Sequence, residues 1–241
     1  MSSRWDNLSI EGRQMGVYVS QPEGSGPHPG VVVIMEAFGV NGHIQSVVGK
    51  VAGEGYIAMA PDLFYRQGDR LTCGYTEFDK AMKWIGNLKD DELNVDVGAT
   101  LDHLKAQPNV RGERFGIVGF CVGGRISYLI AGSSNAIGAA VVYYGGRIMA
   151  PFGNPPTPFD RTPNIQAPVL GLFGEEDSNP SPDDVRKIEA ELKKHGKTYD
   201  FHIYPNAGHG FNCDERASYA PEAARDAWGR TLAWFERYLE G

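Results

Sequence analysis

The sequence predicts an α/β chain with a mostly parallel central sheet and helices on both faces. Three observations point there. Short apolar runs alternate with stretches of helical spacing along most of the chain, the central runs lack the polar alternation of half-exposed strands, and Pro or Gly falls at the joints. Residues 14–19 read as an early strand and residues 24–30 as a turn-rich loop. Residues 30–35 form an unbroken apolar run suited to a strand covered on both faces. Helical spacing over residues 44–54 gives way to Gly55, and a second apolar strand over residues 56–60 stops at Pro61. Residues 63–91 break the alternation with mixed aromatic and charged side chains, including a helix expected over 77–88; such excursions often cover functional sites.

The alternation resumes with an amphipathic helix over 93–105, a strand over 114–118, a helix over 123–131 and a strand over 137–143. Six prolines between residues 150 and 168 impose an irregular loop. A strand over 169–173, a helix over 183–195, a strand over 199–204 and a closing helix over 221–239 complete the pattern.

A length of 241 residues suits one domain spanning residues 1–241, with no repeat or interdomain linker. Hydrophobic residues at 41% and charged residues at 22% describe a chain that buries a core. A formal net charge of −7 without a basic patch argues against nucleic acid as a partner. Residues 1–7 lack the apolar centre of a signal peptide, and the longest apolar stretch, residues 31–35, is too short for a membrane span; the expected location is the cytoplasm. Cys73, Cys121 and Cys213 are odd in number and lack metal-ligand spacing, so neither a disulfide framework nor a metal site is suggested.

The strongest local signal is Gly119-Phe120-Cys121-Val122-Gly123-Gly124, set between an apolar strand and a helix. This is the pattern of a nucleophile elbow with cysteine in the serine position. The sharp turn leaves no room for a Cβ at the flanking positions, which Gly119 and Gly123 satisfy. The following helix aims its N-terminus at the sulfur, which favours thiolate, and the Val122 N–H is available to an oxyanion.

A thiol nucleophile needs a base and the base an orienter, in the chain order nucleophile, acid, histidine. Asp177 follows an apolar strand in Gly174-Glu175-Glu176-Asp177, where Glu175 and Glu176 compete with it for the role. His209, in Gly208-His209-Gly210, follows the last strand; His28, His43, His103, His195 and His202 fit the ordering less well. Glu36 closes the run of residues 31–35 at the sheet edge where Cys121 emerges, as a solvated loop residue or as a functional group near the thiol. The N–H of Ala37, in the loop after that strand, is the natural second oxyanion donor.

These residues resemble the dienelactone hydrolases, or carboxymethylenebutenolidases, of the α/β-hydrolase superfamily, from about Gly12 to the C-terminus. The likeness is carried by Glu36-Ala37-Phe38-Gly39-Val40-Asn41, Pro61-Asp62-Leu63-Phe64 with Arg66-Gln67, the elbow, Tyr143-Tyr144-Gly145, the Asp177 loop and Ala207-Gly208-His209-Gly210-Phe211. The resemblance implies an α/β-hydrolase fold and a triad of Cys121, Asp177 and His209. It also implies Glu36 against the resting thiol until substrate moves it, Ala37 and Val122 as the oxyanion hole, and no metal or organic cofactor.

One departure bears on substrate. Family members that open dienelactone hold its carboxylate with arginines, one of them four residues after the histidine, where this chain has Cys213; the other falls near Phe78, and a family tyrosine at Met82. Arg216 and Arg70 are the replacements at hand, although a surface role is the ordinary one for each. Phe38, Phe78, Met82, Tyr144, Cys213 and Arg216 are the residues expected around a small ester or lactone substrate. The alternatives are a thioesterase or carboxylesterase acting on a neutral substrate, and a ligand-binding protein on a hydrolase scaffold, which would be marked by loss of a triad member.

Overall fold

The computed structural model describes residues 2–240. The apolar runs form an eight-stranded sheet built from β1 (Ser2–Ile10), β2 (Arg13–Gln21), β3 (Gly30–Ile34), β4 (Ile57–Pro61), β5 (Phe115–Phe120), β6 (Ile137–Tyr143), β7 (Val169–Gly174) and β8 (Tyr199–Tyr204). Their order across the sheet is β1-β2-β4-β3-β5-β6-β7-β8. β1 and β2 run antiparallel to each other, and β2 to β4, while every pair from β4 to β8 is parallel. Six α-helices lie among the described residues: α1 (Gly42–Gly53), α2 (Phe78–Ile85), α3 (Asp90–Lys105), α4 (Val122–Ala131), α5 (Pro182–Lys194) and α6 (Pro221–Leu239).

Every residue of β3, β4, β5, β6 and β7 is buried, as their unbroken apolar runs require of strands covered on both faces. Helix starts follow local chemistry. The Asn41 side chain accepts the Ile44 N–H at 3.1 Å to begin α1, and Ser181 accepts the Asp184 N–H at 3.2 Å beside Pro182 to begin α5.

Three elements differ from expectation. β1 is absent from the sequence reading because an edge strand exposed along most of its length carries no apolar signature. Its hairpin to β2 turns through Glu11 and Gly12, with φ of 51° and 79°, a two-residue turn of the kind that matches strand twist. The excursion contains only the short α2 where a helix over 77–88 was expected, since Gly86 closes it. The proline-rich loop holds a 3-10 helix, Phe159–Asn164, with Pro163 inside it.

The chain leaves β3 for β4 on one side, then returns to β5 on the other. That reversal opens a crevice beyond the carboxyl ends of β3 and β5, where open α/β sheets bind ligands. No helix among the described residues is long and apolar enough to cross a membrane.

Candidate active site

Cys121 joins β5 to α4 with φ 58° and ψ −120°, a backbone conformation that side chains other than glycine rarely adopt. The neighbouring glycines make it possible. A Cβ on Gly119 would lie 2.0 Å from the Gly123 carbonyl oxygen, and one on Gly123 would lie 2.4 Å from that of Ile34. The Cys121 N–H donates to the Tyr143 carbonyl at 3.1 Å, which ties the turn to the end of β6. Cys121 is partly exposed, whereas Cys73 and Cys213 are buried. Val122 is the first residue of α4, so its N–H belongs to the helix terminus that lacks an intrahelical acceptor.

His209 and Asp177 approach from the loops after β8 and β7. His209 Nδ1 lies 2.8 Å from Asp177 Oδ2, and Asp177 Oδ1 accepts the Asn179 N–H at 2.8 Å, which fixes the carboxylate. Glu175 and Glu176 are exposed and Asp177 is buried, so of the three acids in this loop Asp177 meets the histidine. Burial opposes a charge on His209, but the adjoining Cys121 sulfur and the Asp177 carboxylate outweigh it and push its pKa up from 6.5 to about 10. The arrangement therefore favours an imidazolium facing the Cys121 sulfur.

Glu36 is fully buried at the end of β3. Its Oε1 accepts from the Tyr144 hydroxyl and from Arg216 Nη1, both at 3.5 Å, and Oε2 has no partner among the described residues. Burial pushes the carboxyl's pKa up, while Arg216, His43 and His209 pull it down. The resemblance implied a contact with the thiol; here Arg216, arriving from the loop after His209, takes that carboxylate instead.

A cavity of about 350 Å³ opens over Cys121. Ala37, Val122, Asp177 and His209 line it with the thiol, as do the expected substrate residues Phe38, Phe78, Met82 and Arg216. Two expected wall residues are not there. Cys213 and Tyr144 are each 0% exposed and lie outside the lining: Cys213 Sγ donates to the Tyr75 hydroxyl at 3.2 Å, and Tyr144 packs its ring against that of His209 at 5.2 Å. Both are behind the wall, because the loop after β8 turns inward at Phe211 and Cys213, each 0% exposed.

The cavity also gains residues that the sequence reading missed. Arg125, four residues after the thiol, is fully buried and pairs with Asp90 at 2.6 and 2.9 Å. It also donates to the carbonyls of Arg147 and Ala150 at 3.1 and 2.6 Å, so it anchors the loop after β6. Arg147 on that loop has φ 59°, donates its N–H to Asn179 Oδ1 at 3.2 Å and lies 5.2 Å from the Phe152 ring. Among the described residues no carboxylate lies within ion-pair range of Arg147, whereas Arg216 faces Glu36. Nothing in the sequence around Arg147 distinguishes it from a solvated loop cation.

Residues 15–239 match the family model described as the dienelactone hydrolase family. A Synechocystis protein named "Putative carboxymethylenebutenolidase" is 39% identical over 97% of this chain and 94% of its own length. A Bradyrhizobium protein named "Probable 2-oxo-3-(5-oxofuran-2-ylidene)propanoate lactonase" is 29% identical over 98% of this chain and 95% of its own. The crystal structure of "Putative Dienelactone Hydrolase from Klebsiella pneumoniae" superposes with a TM-score of 0.89 at 35% identity, covering 99% of this chain and 100% of the other.

Proposed function

This chain belongs to the dienelactone hydrolase family, and with that premise we propose that it hydrolyses a small ester or lactone through the thiol of Cys121. In the proposed reaction the thiol proton resides on His209, the thiolate attacks the substrate carbonyl, and the N–H groups of Ala37 and Val122 receive the oxyanion. Collapse breaks the acyl–oxygen bond, and the imidazolium returns its proton to the departing alkoxide. In a lactone that oxygen stays tethered to the acyl group. Water then attacks the thioester with His209 as base, releasing the carboxylic acid and the free thiol. Asp177 holds the imidazole through Nδ1 so that the other nitrogen faces the sulfur. Glu36 is held beside the site by Tyr144 and Arg216.

The observation that carries this reading is the conjunction of a strained thiol at the head of α4 with the 2.8 Å His209–Asp177 contact. Cys121→Ala and His209→Ala are each expected to abolish turnover of p-nitrophenyl acetate beyond the uncatalysed rate. Iodoacetamide is expected to label Cys121 in preference to the two buried thiols. Turnover surviving either substitution removes the assignment.

The substrate's charge is read from the cavity wall. Phe78, Met82 and Ile85 offer an apolar surface, and Arg147 offers a cation that no carboxylate among the described residues pairs with. We assign the substrate an apolar body and an acid group. The positions where the resemblance expects arginines favour a neutral substrate, but Arg147 supplies the charge from a different loop. In a pair of aryl esters with and without a terminal carboxylate, Arg147→Gln is expected to raise KM about tenfold for the acid ester alone. Equal effects on the two esters would favour the neutral reading.

A further inference from the structure

Glu36, His43 and Cys213 bring one donor atom each to within 4.8 Å of one another, and all three side chains are buried. They come from the end of β3, the first turn of α1 and the loop after β8. We propose that Glu36, His43 and Cys213 form a binding site for a thiophilic divalent cation of the zinc class, separate from Cys121 and His209.

The donor set of carboxylate, imidazole and thiolate is one that zinc accepts, with a fourth position left for water. One carboxylate and one thiolate match the charge of a dication. On Glu36 and His43 the hydrogen bonding leaves one potential ligand atom each without a partner. Glu36 commits Oε1 to Tyr144 and Arg216, while Oε2 is buried without a partner. His43 is 4% exposed; its Nδ1 lies 3.6 Å from Asp214 Oδ1, and its Nε2 is buried without a partner. A carboxylate facing Nδ1 favours the proton there and leaves the lone pair on Nε2, the arrangement found where histidine ligates a metal. Two buried lone-pair atoms beside a sulfur share no donor, and a cation satisfies all three.

The geometry needs modest closure. Zinc bonds of about 2.0–2.3 Å place tetrahedral ligand atoms about 3.3–3.8 Å apart, so the three atoms draw together by at most about 1.5 Å. Cys213 Sγ exchanges its hydrogen bond to the Tyr75 hydroxyl for the metal bond, and its proton leaves to solvent. Asp214, whose side chain is 59% exposed beside His43, offers a charged approach from the surface.

The test reads binding and not turnover, so it stands apart from the proposed hydrolysis. Cobalt(II) is titrated into the Cys121→Ser protein, which lacks the cavity thiol. The expected result is a sulfur-to-cobalt charge-transfer band that saturates at one ion per chain and is bleached by zinc. Cys121→Ser/Cys213→Ser is expected to lose the band, and Cys121→Ser/His43→Gln to bind at least tenfold more weakly. Cys73 is present throughout as an internal control. Circular dichroism establishes folding, and if the Cys213 variant does not fold the His43 variant decides. No band in Cys121→Ser, a band that survives Cys213→Ser, or unchanged affinity in His43→Gln overturns the proposal.

Discussion

At Cys121 the chain holds a side chain where glycine is the easier occupant, a strain on the order of 1–3 kcal/mol that only a well-determined surround sustains. What that position gains is electrostatic. The sulfur is the leading influence that raises His209, ahead of Asp177 and against burial. Cys121→Ser is therefore expected to drop the imidazole pKa from about 10 toward the ordinary 6.5, as followed by NMR of the ring. The raised pKa also fixes the sign of a stability effect. The imidazolium's contribution is fully present below about 6.5 and is lost as pH rises through about 10. Denaturation of the wild type across that window is expected to show a decline that Cys121→Ser largely removes. At this scale the sequence was informative where chemistry imposes neighbours. Gly119 and Gly123 mark the thiol, and Gly208 and Gly210 mark the histidine. Arg147 carries no such mark, since its place on the cavity wall depends on Asn179 and Arg125, both remote in sequence.

Among the elements, the loop after β6 depends on one buried ion pair. Asp90 at the start of α3 accepts two bonds from Arg125 and the Phe152 N–H at 3.0 Å, and its own N–H donates to the Phe152 carbonyl at 2.9 Å. Removing the negative partner leaves a guanidinium that is 0% exposed without its counter-charge. Asp90→Asn is expected to cost about 3–5 kcal/mol in urea denaturation and to raise KM for the acid ester, because the same anchor sets Arg147. Periodicity located α1, α3, α5 and α6, each of which buries an apolar stripe, and α4, which is buried along its whole length. It missed β1, whose side chains are mostly exposed, and overran α2, where Gly86 ends the helix before the pattern of residues 77–88 does. The pairing of Asp90 with Arg125 was illegible, because a charged residue at a helix start ordinarily reads as a solvated cap.

Across the whole molecule, protection is expected to follow sheet position. β3, β5 and β6 are flanked by strands on both sides and buried throughout, while β1 has one neighbour and an exposed face. Hydrogen exchange is expected to open β1 orders of magnitude faster than those central strands, which exchange only with global unfolding. Equal protection would mean that the hairpin unfolds with the core. The strand order itself was beyond the sequence: alternation announces a parallel sheet but not which strands sit side by side. That order places the seam between the sheet's two halves at the β3–β5 ladder. Cys121, Asp177 and His209 all belong to the half built after β5, and Ala37 alone of the proposed reacting groups crosses from the other. Warming that loosens the seam would separate Ala37 from Val122 first and leave the thiol, imidazole and carboxylate together. Such a molecule should stop turning over ester while its sulfur still reacts with an alkylating agent, so heat inactivates the enzyme before it quiets the nucleophile.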